Sequence, residues 1–174
     1  MLESAHKNIV LVGFMGAGKS LVAKDLGRLL KREVISTDEL IEKQEQKTVA
    51  EIFSGSGQEH FRRLERKAVE EITGRGNVII DCGGGIVLNK ANIDDLKRNG
   101  ILIYLAASPR QIYDRVKSTG QRPLLEQDNP LAVIEKLLAE RLPLYEQADI
   151  HLDTDGKTVR ECAKEILSVL KLES

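Results

Sequence analysis

The sequence predicts an α/β domain, three layers deep, with a parallel sheet covered by helices on both faces. Three observations predict it. Short apolar runs at 8–12, 77–81 and 101–105 lack the alternation of a half-exposed strand and read as strands buried on both sides. Between them lie longer stretches with apolar residues at helical spacing, so strand and helix signals alternate along the chain. The chain has 174 residues, 41% of them hydrophobic, enough for one sizeable core. No repeat, low-complexity stretch or linker interrupts it, so residues 1–174 read as a single domain.

The elements follow in order. Strand 8–12 runs into a glycine loop, and residues 21–30 continue as a helix. Residues 33–35 form a short strand, after which Thr37 or Asp38 caps a helix to about Gln46. Thr48-Val49-Ala50-Glu51 has the form of a capping box and opens a short helix. A second helix spans 58–73, stopped by Gly74 and Gly76. Strand 77–81 ends in a carboxylate, a helix covers 89–99, and strand 101–105 follows. Ser108-Pro109 starts the next helix with proline in its first turn. From 118 to 129 the apolar rhythm breaks into Gly, Gln, Arg, Pro and acidic residues, which predicts a mobile loop. Pro130 opens a helix to about Gln147, residues 149–152 form a last strand, and 158–170 a closing helix.

Composition excludes several classes. Net charge is −1, aromatics are 3% and tryptophan is absent, which leaves no electrostatic or stacking case for nucleic acid or an anionic membrane. Cys82 and Cys162 make neither a metal nor a disulfide framework, and His6, His60 and His151 have no metal spacing. The first residues carry no apolar signal region, and no apolar run approaches the roughly 18 residues of a membrane span. A cytoplasmic, soluble monomer is expected.

The chemistry starts at Gly13-Phe14-Met15-Gly16-Ala17-Gly18-Lys19-Ser20, which fits G-x-x-x-x-G-K-[ST], the phosphate-binding P-loop, between a strand and a helix. The glycines let consecutive N–H groups turn toward one anion, and the helix N-terminus adds partial positive charge. Lys19 then reaches the β- and γ-phosphates of a nucleotide, and the Ser20 hydroxyl ligates Mg²⁺. Ligands of an open parallel sheet gather at the carboxyl ends of its strands. There the sequence places Ser36-Thr37-Asp38 and, after the third strand, Asp81 with Gly83, Gly84 and Gly85. Asp38 is either the base that orients or deprotonates an attacking hydroxyl or a helix cap. Asp81 has the place of a strand-end carboxylate that holds Mg²⁺, or it merely caps the strand. Arg62, Arg63, Arg122 and Arg141 are each, taken alone, better explained as solvated surface charges; a fork to a carboxylate or phosphoryl group is the alternative.

Together these features make the chain resemble shikimate kinases over almost its whole length. The elements that carry the resemblance are the P-loop, Ser36-Thr37-Asp38, Phe61-Arg62-Arg63-Leu64-Glu65, the triple glycine, and Arg122-Pro123-Leu124-Leu125 followed by Arg141-Leu142-Pro143-Leu144-Tyr145. The resemblance implies a P-loop fold with five parallel strands in the order 2-3-1-4-5. It implies transfer of the ATP γ-phosphate to the 3-hydroxyl of shikimate, with shikimate-binding helices at about 37–65 and a lid at about 118–129. By the same analogy Lys19, Asp38 and Arg122 are catalytic. Gly13, Met15, Gly16, Ala17, Gly18, Lys19, Ser20, Leu21, Arg115, Arg122, Asp155 and Lys157 bind nucleotide. Asp38, Arg62, Gly83, Gly84, Gly85 and Arg141 bind shikimate. Ser20 is expected to hold the metal by its place in the P-loop, and Asp81 on a separate ground, a departure from the family pattern.

One departure stands out. The first acid of the family's D-[ST]-D element is Ser36 here, and a hydroxyl is a poorer ligand for a hard cation. Asp81 stands where family members carry a small or hydroxyl-bearing residue, so it is expected to supply the missing charge from the neighbouring strand. Rival readings are a kinase of another small hydroxylated acceptor such as gluconate, a nucleoside monophosphate kinase, and a GTP switch. The last would need N-K-x-D, whereas Asn89-Lys90-Ala91-Asn92 lacks the aspartate.

Overall fold

A computed structural model describes residues 7–119 and 128–172. The elements are β1 (Asn8–Val12), α1 (Lys19–Leu30), β2 (Val34–Ser36), α2 (Thr37–Glu45), α3 (Val49–Ile72), β3 (Ile79–Asp81), α4 (Lys90–Arg98), β4 (Gly100–Ala106), α5 (Pro109–Thr119), α6 (Pro130–Tyr145), β5 (Ile150–Asp153) and α7 (Val159–Leu170), with a 3₁₀ turn at Ile86–Leu88. All strands are parallel and lie in the order β2-β3-β1-β4-β5. This is the expected architecture.

The central position of β1 explains its composition. Every residue of Asn8–Val12 is buried, because β3 and β4 pair on either side and helices cover both faces. Its one polar member, Asn8, is satisfied inside: its side-chain amide donates to Arg75 O (2.9 Å) and accepts from Val78 N (3.0 Å). A second, smaller core of Ile41, Ile52, Phe61, Leu64 and Ala68 joins α2 to α3 beside the sheet. Fully burying each of these large side chains contributes about 1.5–3 kcal/mol. That core fixes the face of α3 that carries Arg62 and Glu65.

Several boundaries differ from the sequence expectation for local reasons. The two helices expected around 48 and 58–73 run on as α3, broken at Gly57, whose φ of 80° and ψ of 171° only glycine adopts freely. The capping box at Thr48 and Glu51 forms as expected. The cap of α2 is neither Thr37 nor Asp38 but Ser36, the last residue of β2, whose Oγ accepts from Glu39 N at 3.3 Å. That shift releases Thr37 and Asp38 for other work. α6 ends at Tyr145 and contains Pro143, which removes one helical N–H near its end. Among the described residues no helix is long and apolar enough to cross a membrane. The lid segment lies largely outside the described residues, and so does Arg122.

Candidate active site

The carboxyl ends of β1, β2 and β3 open into a cleft of about 630 Å³. Met15, Gly16, Gly18, Lys19, Ser20, Leu21, Asp38, Asp81, Gly83, Gly84 and Arg115 are among its lining residues. A depression of about 720 Å³ on the outer face of α1 is lined by Leu21, Lys24, Gly27, Arg28, Arg32, Val34 and Val159, and shares only Leu21 with the expected site. The strand-end cleft, and not this depression, gathers the expected site residues.

The P-loop has the form its glycines permit. Gly16 and Gly18 sit at φ 77° and 93°, in the left-handed region that favours glycine. Gly18 is the N-cap of α1 and gives no side chain to it, and the first turn holds no acid, which leaves the helix N-terminus open to an anion. Lys19 is buried and folds over the loop, its Nζ donating to Gly13 O (2.9 Å) and Phe14 O (3.1 Å).

Asp81 and Ser20 meet across the base of the cleft. Burial raises the Asp81 carboxyl above its ordinary value, while a hydrogen bond with Ser20 and the charge of Lys19 favour its ionised form. The adjacent Cys82 thiol is pushed well up by burial, so it is inert.

The three glycines after β3 each face a different neighbour. Gly83 N donates to the buried Thr37 Oγ1 at 2.8 Å, and a Cβ on Gly83 would run into the Asp38 carboxylate. A Cβ on Gly84 would stand 3.3 Å from the amide N of Met15 in the P-loop. One on Gly85 would collide with the Arg62 guanidinium. The run of glycine therefore lets an acid, the phosphate loop and a base close on one strip of backbone.

Arg62 pairs with Glu65, one turn on along α3, and its guanidinium carbon lies 5.6 Å from the Phe61 ring centroid and 6.0 Å from that of Phe53. Glu65 is 1% exposed. Burial raises its carboxyl above the ordinary value, with Arg62 opposing; the charges of Asp38 and Arg141 also reach it. Asp38, Arg62, Glu65 and Arg141 thus share one electrostatic neighbourhood. The Arg141 guanidinium carbon is 5.4 Å from the centroid of Phe14.

At the P-loop end of the cleft, Arg115 ties three segments together. Its Nη1 donates to Gly16 O (3.3 Å), Ala17 O (3.2 Å) and Thr154 Oγ1 (3.2 Å), and its Nη2 to Thr154 O (3.3 Å). Asp155 accepts from Ser108 N at 3.0 Å and so closes the start of α5, while Lys157 Nζ pairs with Glu165 at 2.6 Å. Both of these residues make internal bonds that the sequence expectation did not include.

This geometry matches a known pattern. The family model for shikimate kinase matches residues 15–171. The chain belongs to the shikimate kinase family. The shikimate kinase of Caldanaerobacter subterraneus subsp. tengcongensis is 45% identical over 161 residues, covering 92% of this chain and 94% of that one. That of Thermodesulfovibrio yellowstonii is 43% identical over 161 residues, covering 92% and 93%. The structure of shikimate kinase from Acinetobacter baumannii in complex with shikimate superposes with a TM-score of 0.90 at 35% identity, over 95% of this chain and 93% of that one. These relatives are ATP-dependent kinases with the P-loop fold.

Thr37, Glu65, Thr154 and Tyr145 all shape the cleft, and the sequence reading gave Thr37 only a helix cap and the other three no side-chain role of their own. A residue run containing Glu65 and Tyr145 was visible in the motifs. Their partners, however, are set by packing between elements, for which sequence carries no local signal.

Proposed function

We propose that this site transfers the γ-phosphoryl group of ATP to the 3-hydroxyl of shikimate, giving shikimate 3-phosphate and ADP, a step toward chorismate and the aromatic amino acids. The observation that supports this reading is that Asp38 and Arg62 close on the Gly83–Gly85 strip, whose middle residue abuts the P-loop, while Arg141 acts on the same buried Glu65. Two fixed cations suit an acceptor carboxylate, one acid suits its hydroxyls, and the strip brings that hydroxyl to the phosphate loop.

The parts divide the work as phosphoryl transfer requires, mostly positioning and charge stabilisation. The P-loop amides and Lys19 hold the β- and γ-phosphates. Asp38 orients the acceptor hydroxyl and takes its proton. Arg62 and Arg141 grip the carboxylate. Arg122, outside the described residues, stabilises the moving phosphoryl group. Arg115 and the turn bearing Asp155 and Lys157 flank the nucleobase.

The residues also fit Mg²⁺. The Ser20 hydroxyl and the Asp81 carboxylate are hard oxygen donors that line one cleft beside the P-loop. Among the described residues no group of three or more His, Cys, Asp or Glu gathers as a metal cage, which suits a cation held mainly by phosphate oxygens and water. When bound, Mg²⁺ neutralises phosphate charge.

We take the protein to act as a cytoplasmic monomer. Both cysteines are unpaired, in keeping with a reducing compartment. The deciding experiment is ADP release from MgATP with and without shikimate, with gluconate and other small hydroxylated acids in parallel. Shikimate-dependent release supports the reading; turnover on another acceptor alone overturns it.

A further inference from the structure

The end of α6 carries a buried polar group that the chemistry above does not use. Tyr145 is 0% exposed. Its ring stacks on Tyr104, with centroids 5.0 Å apart and planes 7° from parallel. Phenylalanine would satisfy that packing. The hydroxyl adds something specific: it donates to Gly84 O at 2.7 Å, across 61 residues of sequence. Gly84 is the middle of the strip and the residue that abuts Met15 in the P-loop.

Arg141 stands four residues before Tyr145, one helical turn away on α6. Burial pushes the phenol up to about 12, with the Arg141 charge acting in the opposite direction. The phenol therefore keeps its proton, and its role as donor, throughout the neutral range. The second hold on Arg141 is the face of Phe14, itself 1% exposed and part of the P-loop. Arginine has much rotamer freedom to lose on binding, so a guanidinium held over a buried ring, on a helix end fixed by a hydrogen bond, has less left to lose.

We propose that Tyr145 and Phe14 are positioning residues for Arg141: Tyr145 bonds the end of α6 to Gly84 O, Phe14 supports the guanidinium, and together they set Arg141 against the glycine strip before the acceptor arrives. This rests on the assignment of Arg141 to the acceptor carboxylate.

The unaltered protein is tested first for shikimate-dependent ADP release, since failure there sinks the functional reading and not this one. With turnover established, Tyr145→Phe is expected to raise KM for shikimate about five- to tenfold while kcat and KM for ATP stay within about twofold, because only pre-organisation is lost. Phe14→Leu keeps an apolar side chain and is expected to raise KM for shikimate more than KM for ATP, so the test survives if Tyr145→Phe does not fold. In an Arg141→Lys background, Tyr145→Phe is expected to add less than about a twofold further loss, since both changes act through one side chain. An unchanged KM for shikimate in either folded variant overturns the proposal. So does a fall in kcat with both KM values unchanged, or a fully multiplicative loss in the Arg141→Lys background.

Discussion

Asp81 and Ser36 are register partners at the ends of β3 and β2, and burial of the Asp81 carboxyl is opposed by the Ser20 hydroxyl and the Lys19 charge of the P-loop. The hydroxyl of Ser36 is meanwhile committed to capping α2 through Glu39 N. The single carboxylate of this strand pair therefore sits on the strand nearer β1, directly beside the phosphate loop.

Asp81→Asn is expected to raise the Mg²⁺ concentration for half-maximal rate about ten- to a hundredfold. An unchanged Mg²⁺ titration would sink the metal role. Burial holds the Asp81 pKa above its unfolded value, so the folded state binds this proton the more tightly. The ionised carboxylate therefore weighs against stability at neutral pH, and the penalty fades as pH falls through the raised pKa. The metal-free Asn variant is accordingly expected to melt no lower than the parent at pH 7, its advantage shrinking toward acid. The Mg²⁺ requirement of the parent should rise over the same acid range.

Gly85→Ala is expected to displace Arg62, because the new Cβ occupies the place of its guanidinium. Steady-state kinetics should show KM for shikimate rising by about tenfold or more as the paired, charge-assisted grip on the carboxylate is lost. Gly84→Ala, whose Cβ meets Met15 N at 3.3 Å, should act on KM for ATP as well. Equal, shikimate-only effects from both would contradict the division of labour along the strip.

Arg62→Met is expected to cost about 3–5 kcal/mol in urea unfolding wherever Glu65 is ionised, since the buried carboxylate is then left without its partner. Glu65→Gln should cost less, because a neutral amide needs no counter-charge. In Arg62→Met the Glu65 pKa rises further, so stability should fall with increasing pH through that value. A variant with pH-independent stability would show that Glu65 is not the group responsible.

Arg122→Ala is expected to lower kcat by at least about a hundredfold with little change in ATP affinity, as loss of a cation that acts on the moving phosphoryl group would. Comparable kcat in variant and parent would remove Arg122 from the chemistry. This prediction stands on the sequence motif, since the residue lies outside the described residues.

What was legible in the sequence was whatever is encoded locally. The P-loop is a run of eight adjacent residues, the buried strands are continuous apolar runs, and the capping box at Thr48 and Glu51 spans one turn; all three appear in the structure where they were read. The exchange of an acid at 36 for one at 81 was also visible, as composition at two strand ends. Tertiary structure alone decided which groups those residues meet. Ser36, not Asp38, caps α2, which turns Thr37 to Gly83 N across 46 residues. The three glycines look alike in sequence, yet Asp38, Met15 and Arg62 require them for three separate reasons. Tyr145 looks like a core aromatic until its hydroxyl is found on Gly84 O. Periodicity and capping act over a few residues, so a sequence displays them; contacts between the ends of separate strands and helices arise only when the sheet order brings those ends together.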